Sequence, residues 1–421
     1  MGVWCQASGA LVTKGRVPGN VRILSTLIGH SVSMSGHEPA WIGRDEAERL
    51  LGVKSQTLYA YVSRGHIAAR PDPANPRRSL YDAADVRRLL ERAAPRTPQS
   101  GSSRSARHEI LIDSSITQVT EDAVRYRGED ALAIADHATL EQAARLIWAA
   151  AEDPFAEQRP RIDVVFPGGP RARAFACLSR RADEDGPSSG RAPASLRREA
   201  ASLLNELVDS VAGPGPRLHL HQRLARAWKA QDKDAHLIRR ALVLACDHEA
   251  DAATLAVRVT AGAGASLSAC ALAGLSALSG PELGGRLAQV TGFVLEARKA
   301  DARTAARNRL SQGLDLPGFG FDAHPGGDPR ARALIEAAVL PAPLADVVRV
   351  GEGLTGRAAS FELALALAAQ RMDLPREAPF ALLTIGRMVG WLAHAMEQAA
   401  SGSPLRARLR YVGPGPVDGA A

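Results

Sequence analysis

A chain of 421 residues, 46% hydrophobic and 23% charged, can bury a large core and divide into about three compact units, which excludes a disordered or fibrous class. Its formal charge of +7 admits an anionic partner without identifying one. Aromatic residues make up only 4%, Ala and Leu dominate, and the alternation that half-buried strands need is scarce, so an all-α fold is predicted. Four scattered cysteines, Cys5, Cys177, Cys246 and Cys270, form neither a metal-binding pair nor a disulfide framework, and fit a reducing cytoplasm.

In chain order, residues 1–40 lack apolar periodicity and read as a disordered tail, with Met34 a candidate start. A small unit follows at residues 41–94. Asp45, Glu46 and Glu48 open a short helix that Gly52 stops, and Ser55 is placed to cap a second helix with Leu58, Tyr61 and Val62 on its apolar face and Gly65 at its end. The segment from Arg70 to Arg78 holds three prolines and cannot be helical, so it is expected as a loop with Arg77 and Arg78 at its tip, before the run Tyr81-Asp82-Ala83-Ala84-Asp85-Val86 caps another helix. Two helices, a wing and a third helix resemble the excisionase/MerR-type helix-turn-helix domain. That resemblance implies DNA contacts from Lys54, Gln56, Tyr59, Arg64, Arg77 and Arg78; a protein-docking module is the competing reading.

Residues 95–108 are rich in Ser, Pro and Arg and read as a flexible linker. Beyond it, Tyr126-Arg127-Gly128 marks a turn. Thr139 and Gln142 form a capping box for a helix burying Leu140, Ala143, Ala144 and Ile147. His219 and His221, two apart with no third ligand nearby, read as surface residues, and no metal site is expected. Val259 to Gly280 carries no charge over 22 positions, but Ala, Gly and Ser are too weakly apolar for lipid, so no membrane span is expected. At the end of an apolar helix, Cys246-Asp247-His248-Glu249 sets titratable groups where burial would be costly without partners.

Further motifs follow in order: Gly280-Pro281-Glu282-Leu283-Gly284-Gly285, Gly318-Phe319-Gly320-Phe321 with Asp328-Pro329-Arg330, Ser360-Phe361-Glu362, and Gly386-Arg387-Met388-Val389-Gly390-Trp391 before Arg410-Tyr411-Val412-Gly413-Pro414. Their sequence and spacing from about Ile110 to Pro414 resemble the citrate synthase family. The resemblance implies a large helical domain at 109–289 and 385–421 and a small one at 290–384. It further implies a homodimer, no cofactor, and acetyl-CoA or another acyl-CoA as co-substrate of oxaloacetate or a related 2-oxo dicarboxylate.

By that resemblance His248, Arg330, Arg387 and Arg406 bind the dicarboxylate, Arg406 reaching into the partner subunit. Glu362 stands where the family's base is aspartate. The two catalytic histidines are replaced by Leu283 and Phe321, neither of which donates a hydrogen bond or carries a proton. His324 and Glu282 stand near enough in sequence to substitute, although a structural role is the plainer expectation for each. The first functional expectation is therefore a catalytically impaired, metabolite-responsive regulator carrying a DNA-binding module. The alternative is an active, divergent citrate or methylcitrate synthase.

Overall fold

The computed structural model describes residues 41–421, apart from 52, 54, 64–65, 74, 87–109, 157, 159–165, 214–217, 249, 321–322, 409–410, 412 and 414–421. The expected tail at 1–40, the linker at 95–108, Gly52, Lys54, Arg64, Gly65, Glu249, Phe321, Arg410, Val412 and Pro414 thus lie outside the described residues, as does the side chain of Arg77. The chain divides into two compact units, residues 1–109 and 110–421.

In the first unit a strand, Trp41–Gly43, leads into helices Arg44–Leu51 and Ser55–Ser63. Strands Ala69–Asp72 and Asn75–Asp82 then pair antiparallel, and Trp41–Gly43 adds to the far edge of the second. Ile42, Ala47, Leu58, Ile67, Tyr81, Ala83 and Val86 make the core, with Tyr61 and Val62 packed against it. Ser55 is the first helical residue rather than a cap, and its hydroxyl donates to Glu48 Oε1 at 2.7 Å. Arg77 and Arg78 sit within a strand instead of at a loop tip, because the chain reverses earlier, between Asp72 and Asn75. Asp82 Oδ1 accepts from the backbone N–H groups of Ala84 and Asp85, capping the turn of helix at 83–86 as expected.

The second unit is mostly helical, yet it opens on an antiparallel sheet of Thr117–Val119, Val124–Tyr126 and Glu129–Asp130. The all-α expectation is corrected in both units, while the helical majority of the second stands: overall composition averages away strands this short, which are defined by pairing with their neighbours. Tyr126 and Glu129 pair across a two-residue turn in which Arg127 and Gly128 both have positive φ, at 52° and 88°. The capping box of Thr139 and Gln142 is present, and the buried face of its helix is Leu140, Ala143, Ala144 and Ile147.

The uncharged run from Val259 is split between helices Ala252–Gly262 and Leu267–Leu278, the second capped by Ser266. No described helix is long and apolar enough to cross a membrane. One hydrophobic core runs from Ile116 to Leu278 and resumes in Ala331–Ala395. A second, smaller one gathers Val290, Phe293, Val294, Phe319, Val347, Leu363 and Leu367 among others, and the helix Phe361–Arg371 contributes to both.

Candidate active site

Two helices build the floor of the site. Ala235–Leu244 ends just before Cys246-Asp247-His248, and Ala378–Ser401 passes close beside that end. A Cβ on Gly386 would lie 2.8 Å from the Leu242 carbonyl oxygen, and one on Gly390 would lie 2.5 Å from that of Cys246. Only glycine at both positions, four apart on one face, permits this approach. The Gly390 N–H donates to the Cys246 carbonyl at 3.0 Å, while the fully buried Cys246 thiol points back to the Leu242 carbonyl at 3.5 Å. Burial, with Asp247 adjacent, pushes that thiol well above its ordinary pKa.

The close approach places Arg387 against Asp247. Arg387 Nη1 lies 3.0 Å from Asp247 Oδ1, and its Nη2 reaches Thr254 Oγ1 at 2.6 Å and Asp251 at 3.1 Å. Asp247 Oδ2 takes hydrogen bonds from Thr117 Oγ1 at 2.6 Å and His394 Nε2 at 3.1 Å. Arg258 Nε donates to His394 Nδ1 at 3.0 Å, which leaves the other ring nitrogen of His394 to carry the hydrogen toward Asp247. Arg258 also pairs with Glu397. Burial pushes the Asp247 carboxyl up, but His394, Arg387 and Thr117 together outweigh it and hold it below its usual range.

On the opposite side, Asp328 caps the helix Pro329–Ala338 and clamps Arg330 through both carboxylate oxygens, at 3.1 and 2.7 Å. The Arg330 guanidinium lies 4.6 Å over the Phe361 ring, and Glu362, beside that ring in sequence and half-buried, acts on it electrostatically. Burial lowers the Arg330 pKa, and Asp328 more than restores it.

His248 lies within the electrostatic reach of both arginines. Its Nε2 lies 2.9 Å from His324 Nε2, and His324 Nδ1 lies 2.9 Å from the Glu121 carbonyl oxygen. Both rings are buried. Burial first, then the charges of Arg330 and Arg387, push His248 far below the ordinary imidazole pKa. Potential ligand atoms of His248, His324 and Asp328 fall within 4.8 Å of one another. The donor set is nevertheless poor for a cation: Asp328 is committed to Arg330, and two guanidiniums are close by. An anion suits it better.

His248, Arg330 and Arg387 are therefore brought together, with Glu362 at the edge near Arg330. Arg406 is exposed on the segment after the helix Ala378–Ser401, and among the described residues no hydrogen bond or ion pair joins it to the group. Leu283 lies half-buried in a π-helical turn, Pro281–Gly285, packed on the larger core. Glu282 points to solvent and pairs with Arg286 at 3.3 Å, so it does not substitute for the missing imidazole.

His324 does enter the site. Its side chain is placed not by the Gly-Phe-Gly-Phe motif but by the bond to the Glu121 carbonyl. The Asp247–His394–Arg258 chain was also missed. The available signal was the spacing of Arg387, His394 and Glu397 along one side of an otherwise apolar helix. His221, expected at the surface, is buried, and desolvation lowers its pKa to about 4. The reason is that its helix Leu220–Ala227 turns that ring inward while His219 stays exposed.

A family model described as the citrate synthase C-terminal domain matches residues 182–408, more than half of the chain. The chain belongs to the citrate synthase family. It is 34% identical over 209 residues to a putative citrate synthase 2 of Mycobacterium tuberculosis, covering 46% of this chain and 56% of that one. The chain thus spans about half the length of the curated relatives it matches.

Among solved structures, citrate synthase from Thermotoga maritima superposes with a TM-score of 0.62 at 19% identity, covering 76% of this chain and 98% of that one. The Thermoplasma acidophilum citrate synthase, solved with carboxymethyl coenzyme A and oxaloacetate, also gives 0.62 at 19% identity, covering 77% of this chain and 99% of that one. At such identity the likeness establishes the shared helical fold.

Proposed function

We propose that the chain condenses an acyl-CoA with a 2-oxo dicarboxylate of the oxaloacetate class, as a divergent citrate or methylcitrate synthase. The observation that carries this reading is the convergence of two buried guanidiniums, Arg330 and Arg387, on two buried imidazoles, His248 and His324. A guanidinium offers five N–H groups in a planar fork, so Arg387, with three partners in the chain, keeps donors for a substrate carboxylate. The imidazoles are suited to a ketone oxygen. Glu362 is the carboxylate for removing the α-proton of the thioester, and the proposed assembly is a homodimer in which Arg406 of one protomer completes the other's site.

This reading is preferred to an impaired regulator for two reasons. The matched relative and the superposed structures are described as citrate synthases. An imidazole also occupies the site although position 321 lacks one. Leu283 still offers no donor to an enolate, so turnover is expected to be slow.

For the first unit, a winged helix-turn-helix that contacts DNA phosphates is proposed. Its support is the succession of two helices and a β-hairpin, with Gln56 and Tyr59 exposed on the second helix and Arg78 exposed on the hairpin. Lys54, Arg64 and Arg77 belong to this proposal from the sequence pattern.

The enzymatic reading is tested by thiol release from acetyl-CoA and propionyl-CoA in the presence of oxaloacetate. A rate saturable in oxaloacetate and abolished by Arg387→Ala is expected. No release from either thioester, together with a melting temperature that oxaloacetate raises, would return the chain to a ligand-binding regulator.

A further inference from the structure

A cavity of about 200 Å³ opens elsewhere in the second unit, lined by the apolar side chains Trp148, Leu196 and Met396 together with Arg127, Arg191 and Arg197. It shares none of the residues proposed above to hold or act on the oxo acid. Its volume is below the roughly 300–1,000 Å³ of sites for drug-sized molecules, so it suits a small ligand.

The charges around this cavity do not cancel. Arg191 pairs with Glu199. Glu397, the carboxylate in the lining, is committed through both oxygens: Oε2 pairs with Arg258, and Oε1 accepts from the Ser115 N–H and hydroxyl, each at 2.9 Å. Arg127 Nε donates to the Ile147 carbonyl at 3.0 Å and its Nη1 to Ser115 Oγ at 2.7 Å, while Arg197 Nε donates to the Trp148 carbonyl at 2.9 Å. These acceptors are all neutral, and among the described residues neither Arg127 nor Arg197 forms an ion pair. Closing the end of the helix Leu140–Ile147 accounts for the two Nε bonds. It leaves Arg127 Nη2 and both Nη groups of Arg197 with donors to spare. Both arginines are half-buried, where an unpaired charge is costlier than in open water. The helix Pro193–Ala212 also starts in the cavity wall, at Pro193, with no side-chain cap, so its positive end adds to theirs.

We propose that this cavity binds a small organic phosphate, its head held by Arg127 and Arg197 and its apolar body set against Trp148, Leu196 and Met396. A phosphate monoester brings close to two negative charges and three acceptor oxygens, which match two uncompensated guanidiniums. A carboxylate brings one charge and two oxygens, and leaves one guanidinium unbalanced.

The test is calorimetric titration of the full chain with phenyl phosphate, benzoate and inorganic phosphate. Phenyl phosphate should bind once per chain, and benzoate, with the same ring, at least about tenfold more weakly. Inorganic phosphate, which lacks the ring, should also bind more weakly than phenyl phosphate. Arg197→Gln removes one of the two charges at a half-buried position and should weaken phenyl phosphate at least about tenfold, with little effect on benzoate. Ala400→Phe, at an exposed position in the lining, narrows the cavity without changing a charge and should weaken phenyl phosphate too. Equal affinity for phenyl phosphate and benzoate overturns the inference, as does phenyl phosphate binding left unchanged by either substitution. No heat with any probe also overturns it and leaves Arg127 and Arg197 as caps of the helix Leu140–Ile147. Displacement of phenyl phosphate by acetyl-CoA would assign the cavity to the co-substrate's own phosphates and end its standing as a second site.

Discussion

Replacing Asp247 by Asn preserves shape and removes one negative charge from a fully buried position. Three donors point at that carboxylate: Arg387 at 3.0 Å on Oδ1, and Thr117 at 2.6 Å and His394 at 3.1 Å on Oδ2. An amide must turn its NH₂ either toward the guanidinium or toward the other two donors, so at least one strong bond becomes a repulsive contact whichever flip is adopted. Arg387 is itself 3% exposed and, among the described residues, keeps Asp251, a half-exposed carboxylate, as its paired counter-charge.

Unpairing a buried charge costs about 3–5 kcal/mol, and the remaining Asp251 contact favours the lower end. For a unit of this size each kcal/mol lowers the melting temperature by about 2–4 °C, giving a drop of roughly 6–12 °C. Scanning calorimetry of Asp247→Asn beside Thr117→Val measures it, the latter removing one bond and no charge at an expected cost of about 1 kcal/mol. Equal, small shifts in both variants would refute the reasoning, since they would show that Asp251 and Thr254 suffice to satisfy the guanidinium.

His221 has its folded pKa lowered to about 4, first by burial, then by His219 and Arg239 against the pull of Glu141. The unfolded chain therefore binds more protons between its ordinary value near 6.5 and that figure, and stability is whole at neutral pH and lost as pH falls through this window. His221→Gln should flatten melting temperature against pH there; an unchanged slope would assign the acid limb to other groups. Leu283→His supplies a donor from the π-helical turn and is expected to raise thioester-dependent turnover by about 10²-fold, a gain that a thiol-release assay detects. If the front unit contacts phosphates, Arg78→Ala should weaken DNA binding about equally across sequences and reduce the log–log salt slope by about 1, measured by mobility shift.

Local structure was legible wherever an apolar face or a backbone requirement writes a short-range pattern. The helix Leu140–Ile147, its capping box, the Arg127-Gly128 turn and the cap at Asp82 are of this kind. Polar satisfaction across the chain leaves no such pattern. His394 and Asp247 stand 147 positions apart, and His248 and His324 stand 76 apart, so neither pairing has a periodicity to betray it. The strands escaped for a related reason. Three residues such as Val124–Tyr126 are too few to shift a composition, and they are defined by pairing with the equally short strands on either side. The resemblance supplied motif order, but His324 lies outside the motif's expected histidine position and was placed by a backbone carbonyl 203 positions away.

The sulfur of Cys246 turns the floor of the site into a clock. It is wholly buried under Gly390, and its proton is held too firmly for attack on a disulfide reagent while the two helices stay together. Labelling has to wait for the end of the helix Ala235–Leu244 to separate from the helix Ala378–Ser401. Once Cys5 has been replaced by serine, and Cys177 and Cys270, both also buried, have been distinguished by mass, the rate at which Cys246 reacts counts those separations directly. A ligand that bridges Arg387 and His248 would have to slow it.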